Sequence, residues 1–236
     1  MNSLHAPKQT TKEILLALHE KFGKNIESLE QDAWEIIDDI DIKSRIISEI
    51  RNILFTENCV TEGQSKICSE LLEEVFSDFS LAMYLCTIGL IVQARMSVRR
   101  AFELGVATVY MWDLPHEYWG WRCGDQDLSF SAMVAHLNSC GYSEYVKHIR
   151  GGDLTTSICE QAKFQKIYRE LSNTVHGKIS ELPPLSPERF LPNRNGVREH
   201  LALTASAQQA VIELLLGRFN GLRQKIETAF PVTKRT

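Results

Sequence analysis

Apolar residues recur three and four positions apart through almost the whole 236-residue chain and alternate with polar ones almost nowhere. A helix returns to the same face at that spacing and a strand every second residue, so the pattern predicts an all-α fold. Thr11–Phe22 is predicted as a short amphipathic helix. Residues 26–55 carry the apolar residues Trp34, Ile37, Ile40, Ile46, Ile47, Ile50, Ile53 and Leu54, with acids such as Glu35, Asp38 and Asp39 between them. They are predicted as two helices, or one broken near Asp41. The polar residues 56–64 mark a boundary, giving an N-terminal helical arm over 1–60 and a main helical domain over 61–236.

Within the main domain, helices are predicted over Ser65–Phe79 and Leu81–Trp112, the second very apolar and ended by Asp113-Leu114-Pro115. Leu81–Val92 is too short to span a bilayer and reads as a buried helix. His116–Gln126 is predicted as an aromatic, glycine-containing loop, Asp127–Ser139 as a helix ended by Gly141, and Tyr142–Ile149 as a short helix. Asp153–His176 follows, with Asp153 or Thr155 as its N-cap. Four prolines make 178–195 an extended connection, and Val197–Thr228 is a long last helix.

The chemistry sits in Tyr168-Arg169-Glu170-Leu171-Ser172-Asn173-Thr174-Val175-His176-Gly177. Arg169, Ser172, Asn173 and His176 share one helical face, while Phe164, Ile167, Tyr168, Leu171 and Val175 form a separate apolar stripe. Gly177 suits the position just past a helix end, which puts His176 in the last turn, where the helix dipole favours the imidazolium. A permanent cation beside a group able to exchange a proton suits phosphodiester chemistry. A second polar set, Arg95, Arg99 and Glu103, repeats every four residues on an otherwise apolar helix. Charges on a central helix require partners or a polar cavity, so Arg99 and Glu103 either form an ion pair on their own helix or face the Arg169 helix. There Glu103 would orient Arg169 or His176, and Arg99 would add charge for a phosphate.

An Arg followed after six residues by a His, near a helix end in an all-helical chain, resembles the HEPN superfamily. The Leu171–Gly177 phrase and the Arg99–Glu103 pair are similar to a bacterial group related to it. The resemblance covers about residues 80–228 and implies an antiparallel helical bundle with the N-terminal arm as an extension. It further implies a metal-independent endoribonuclease of a toxin–antitoxin or antiphage system. In this mechanism the ribose 2′-hydroxyl attacks the adjacent phosphate, His176 exchanges the proton and Arg169 holds the phosphate oxygens. Ser172, Asn173, Arg99 and Glu103 would support them. It implies RNA as substrate, a homodimer that lines one cleft with two motif helices, and an antitoxin or sensor as partner.

The other reading is a non-catalytic module of the same ancestry that acts by dimerisation or partner binding. Glu170 stands where a polar residue, often Asn, commonly follows the Arg, and the net charge of −4 supplies no general field for nucleic acid. RNA contacts must then be local, and Arg95, Arg194 and Arg198 are candidates, the last two in a basic group with Arg189 and His200. His136, Cys140 and His148 lack a second tight pair for a tetrahedral metal site, so neither metal nor cofactor is expected. Trp112, Tyr118, Trp119 and Trp121 read as packing at a corner. Met1–Pro7 shows no basic region leading into an apolar run, so a cytoplasmic protein with six reduced cysteines is expected.

Overall fold

The computed structural model describes residues 11–150, 157–175 and 194–231. Every regular element among them is helical. The helices are α1 (Thr11–Glu27), α2 (Gln31–Ile53), α3 (Glu62–Lys66), α4 (Glu73–Thr87), α5 (Ile91–Asp113), α6 (Pro115–Cys123), α7 (Phe130–Leu137), α8 (Cys140–Ile149), α9 (Gln161–Val175), α10 (Arg194–Arg218) and α11 (Leu222–Ala229). Two π-helical turns, Leu54–Asn58 and Ile67–Leu72, extend α2 and join α3 to α4.

Helix α5 is the axis of the molecule. It packs on α4, α10, α9, α7 and α6 and buries Val98, Phe102, Val106, Val109 and Met111 among them. Helix α2 lies across α10 and α4 and runs unbroken past Asp41, because Ile37, Ile40, Ser44, Ile47 and Ile50 keep one face buried throughout. The polar stretch after α2 separates it from α4 in sequence but not in packing, since Ile47, Ile50 and Leu54 share a cluster with Leu72 and Val75.

Several boundaries differ from the sequence reading, each for a local reason. The chain turns not before Leu81 but at Gly89, which takes φ of 90° while Leu90 N–H closes back on Leu85 O at 2.8 Å. Leu81–Val92 is therefore a helix end, a turn and a helix start, with Leu81 and Tyr84 exposed. Pro115 opens α6 rather than a loop, because its ring already holds a helical φ and the first turn needs no N–H there. Gly141 lies inside α8, whose N-cap Ser139 accepts a hydrogen bond from Tyr142 N–H at 3.2 Å. Helix α9 starts at Gln161, and the expected caps Asp153 and Thr155 lie outside the described residues. Gly221, with φ of 74°, splits the last helix into α10 and α11.

Two buried features fix α10 against α5. Arg218 Nε donates to Asp113 Oδ2 at 2.7 Å, and Tyr142 Oη donates to the same oxygen at 2.8 Å, which joins α10, α5 and α8. Two turns inward of that, Gly105 allows the two helices to close up. A Cβ on Gly105 would stand 2.7 Å from both methyls of Val211. Overpacking of this kind costs about 1–3 kcal/mol, so Gly105→Ala is expected to lower unfolding free energy by that order in chemical denaturation. Adding Val211→Ala should restore part of the loss, because it removes the clashing methyls; strictly additive losses would contradict this packing.

Candidate functional site

Helix α9 carries the motif, and its apolar stripe packs as its spacing predicts: Phe164, Ile167 and Leu171 are buried. Beneath it is an aromatic foundation. Phe102 of α5 lies 5.4 Å from both Phe130 of α7 and Phe164 of α9, centroid to centroid. Phe130 then stacks on Tyr168 at 4.0 Å with the rings only 6° from parallel. The other side of this stack meets α5. Arg99 Cζ lies 4.8 Å from the Tyr168 ring centre, and Arg99 Nη2 donates to Tyr168 Oη at 2.6 Å.

Arg99 Nε also donates to Glu103 Oε1 at 3.1 Å on its own helix. Arg99, Glu103 and Tyr168 thus form one polar group, with the first two side chains 20 % and 30 % exposed. Burial, and then the hydrogen bond and charge of Glu103, raise the Tyr168 phenol above its ordinary pKa against the opposing Arg99. The phenol stays protonated and neutral, a donor for Glu103 and an acceptor for Arg99. The Arg99–Glu103 pair therefore reaches α9 through Tyr168, one residue before Arg169. Sequence spacing had assigned Tyr168 to packing alone; the signal it held was a phenol on a buried stripe, which needs a polar partner.

The face beyond this anchor is mixed. Arg169 is exposed and makes no ion pair among the described residues; Lys166, three positions earlier on the same face, is exposed as well. Lys166 is a cation the motif reading missed. Glu170 is exposed beside them, and Asn173 is half-buried. Ser172 is buried, and its hydroxyl donates to Tyr168 O at 2.7 Å, so it is engaged by its own helix rather than presented to a ligand. His176 and Gly177 lie outside the described residues, immediately after the last residue of α9.

The other candidates are dispersed. Arg198 is exposed and pairs with Asp32 of α2 at 3.2 Å; the side chain of Arg194 lies outside the described residues, as does Arg189. His200 does not belong to a basic surface group. It is completely buried with neither ring nitrogen hydrogen-bonded, one turn after Val197 and beside Leu201 on the apolar face of α10. Burial, and then the charge of Arg95, push its pKa down to about 3. Arg95 thus lies near His200, while Arg99, one turn on, reaches α9.

His136 packs against the rings of Tyr110 and Tyr142, each 5.3 Å away, while Cys140 and His148 are exposed. No group of three or more His, Cys, Asp or Glu arranged to hold a metal occurs among the described residues. The expected aromatic corner is split: Tyr118 is buried, with its hydroxyl donating to Glu70 and its ring 5.1 Å from the exposed Trp119 and 6.4 Å from Trp121, while Trp112 meets Phe219 edge-on at 4.9 Å. No described helix is long and apolar enough to cross a membrane.

No family model, curated protein or solved structure matches the chain.

Two measurements test this geometry. Tyr168→Phe keeps the stack and removes the acceptor of a charged donor, so a stability loss of about 1–2 kcal/mol is expected in denaturant melts. Glu103→Gln should cost about 1 kcal/mol, since the pair is only partly screened; unchanged stability in both variants would put the group on a solvated surface. The buried histidine has a pH signature. Its folded pKa lies below the ordinary 6.5, so the unfolded chain takes up the proton first. The contribution is complete above about 6.5 and is lost as pH falls towards about 3. Stability of the wild type should therefore fall more steeply between pH 7 and pH 4 than that of His200→Leu, and parallel curves would contradict the burial.

Proposed function

We propose that this chain is an HEPN-like, metal-independent endoribonuclease, a toxin or effector of a bacterial defence or toxin–antitoxin system working in the cytoplasm. The observation that carries the reading is Arg169, exposed and without an ion pair among the described residues, on a helix whose rear is held by the Phe130–Tyr168–Arg99–Glu103 chain. A guanidinium can hold two phosphate oxygens at once, and the anchored helix fixes the backbone position from which Arg169 reaches. Lys166 on the same face supplies the local positive charge that the net charge of −4 does not.

In this reading Arg169 grips the scissile phosphate and stabilises the charge that gathers on it as the ribose 2′-hydroxyl attacks. His176 moves the proton, and Asn173 offers a further hydrogen bond. Arg99 and Glu103 are positioning residues that act through Tyr168. A homodimer with two motif helices along one cleft would provide separate acid and base groups. An antitoxin or sensor protein would hold the activity in check.

Glu170, exposed beside Arg169, favours the second reading, a non-catalytic dimerisation or partner-binding module. It would repel a phosphate approaching from its side. The two separate on induced expression and on purified protein. The nuclease should arrest growth and cut RNA in EDTA. His176→Ala is expected to lower the rate by about a hundredfold or more, and Arg169→Lys to impair it because an ammonium lacks the planar fork. Cleavage that requires Mg²⁺ contradicts the mechanism, and full activity in both variants contradicts the site. No cleavage by a dimeric wild type returns the chain to the second reading.

A further inference from the structure

Of the six cysteines, two face each other. Cys59 Sγ and Cys68 Sγ stand 3.7 Å apart, nine residues distant in sequence. The other four have no such neighbour: Cys86 and Cys159 are buried, and Cys123 and Cys140 are exposed. We infer that Cys59 and Cys68 are a redox modification site, a dithiol that a small hydroperoxide closes to a disulfide. This inference is independent of the ribonuclease reading.

Geometry gives the two thiols different roles. Cys59 caps the π-helical turn after α2 in an extended conformation, φ −73° and ψ 117°, and is half-buried. Cys68 is fully buried in the π-helical turn before α4. A small oxidant therefore meets Cys59 first, and a bulky disulfide cannot reach Cys68. A disulfide needs sulfurs about 2.05 Å apart, so they must close by roughly 1.7 Å. Cys59 can supply that movement, because it lies outside any helix, just after the π-helical turn to which its N–H is bonded through Leu54 O. Burial, and then the neighbouring Cys59, raise the Cys68 thiol against the weaker opposing charge of Arg51, so Cys68 stays a protonated thiol until it resolves the oxidised Cys59.

The chemistry balances with one peroxide. The Cys59 sulfur attacks a peroxide oxygen, the O–O bond breaks, and water leaves with the thiol proton, giving a sulfenic acid. The Cys68 sulfur then attacks the Cys59 sulfur, the S–O bond breaks, and the departing hydroxide takes the Cys68 proton as a second water. Two thiols are oxidised, one hydrogen peroxide is reduced, and the bond encloses α3 with its Thr61–Gln64 capping box. Since α3 packs on α6, with Lys66 5.4 Å from the Trp119 ring centre, the bond would tie that corner to the end of α2.

The test uses the reduced full chain and limiting hydrogen peroxide. The protein is then denatured, alkylated, digested without reduction and mapped by mass. The expected result is a Cys59–Cys68 linked peptide, two hydrogens lighter, that dithiothreitol reopens, with Cys123 and Cys140 still alkylated. In Cys68→Ala the sulfenic acid at Cys59 has no resolving partner. A dione trap should then label it about tenfold more than in wild type. If that variant fails to fold, the wild-type map alone decides. Full alkylation of Cys59 and Cys68 while other cysteines oxidise overturns the inference, as does a Cys59 sulfenic acid trapped in wild type with no linked peptide.

Discussion

The structure depends on a central helix that has to be both apolar and charged. Helix α5 is covered by α4, α6, α7, α9 and α10, yet it carries Arg95, Arg99, Arg100, Glu103 and Asp113. A charge held against a core is costly unless it is paired within the fold. Arg99 and Glu103 pair on α5 itself, and neighbouring helices supply partners for others. Arg100 reaches Glu74 at 2.6 Å and Asp78 at 2.7 Å on α4, Asp113 takes Arg218 from α10, and Arg99 takes Tyr168 from α9. Burial raises the Asp78 carboxyl even beside Arg100, because Asp78 lies against the core while Arg100 stays half exposed. The buried Asp113–Arg218 pair acts together with the close packing of Gly105 on Val211 to place α10 against α5.

That arrangement links fold to site. The motif helix is not held by its apolar stripe alone. Its Tyr168 lies between the Phe130 ring and the Arg99 guanidinium, which limits both sliding and rotation of α9. Arg169 follows directly and faces solvent. Holding a cation on a locked helix is what a phosphate-gripping group needs, and the same rigidity would serve a partner-binding surface.

The helical class and the buried faces of α2, α5 and α9 were legible because period is a local property. The Arg99–Glu103 pairing was legible too, being four residues apart on one helix. Its contact with Tyr168 was not, because it joins residues 69 positions apart. The Asp113–Arg218 pair was hidden for the same reason: Asp113 reads as a helix terminator beside Pro115, and Arg218 lies in the middle of the long helix predicted over Val197–Thr228. His200 was grouped with arginines close by in sequence, although Val197, Leu201 and Thr204 around it mark a buried face. The turn at Gly89 was masked by apolar residues on both sides, which read as one continuous helix.

The central claim concerns which atom attacks the phosphate. The most direct measurement follows cleavage of an oligoribonucleotide by the purified protein, beside the same oligonucleotide carrying a single 2′-deoxy residue at the mapped cut site. Attack by the ribose hydroxyl predicts fragments ending in a 2′,3′-cyclic phosphate and complete protection of the substituted position. Cleavage at the deoxy position would contradict the account.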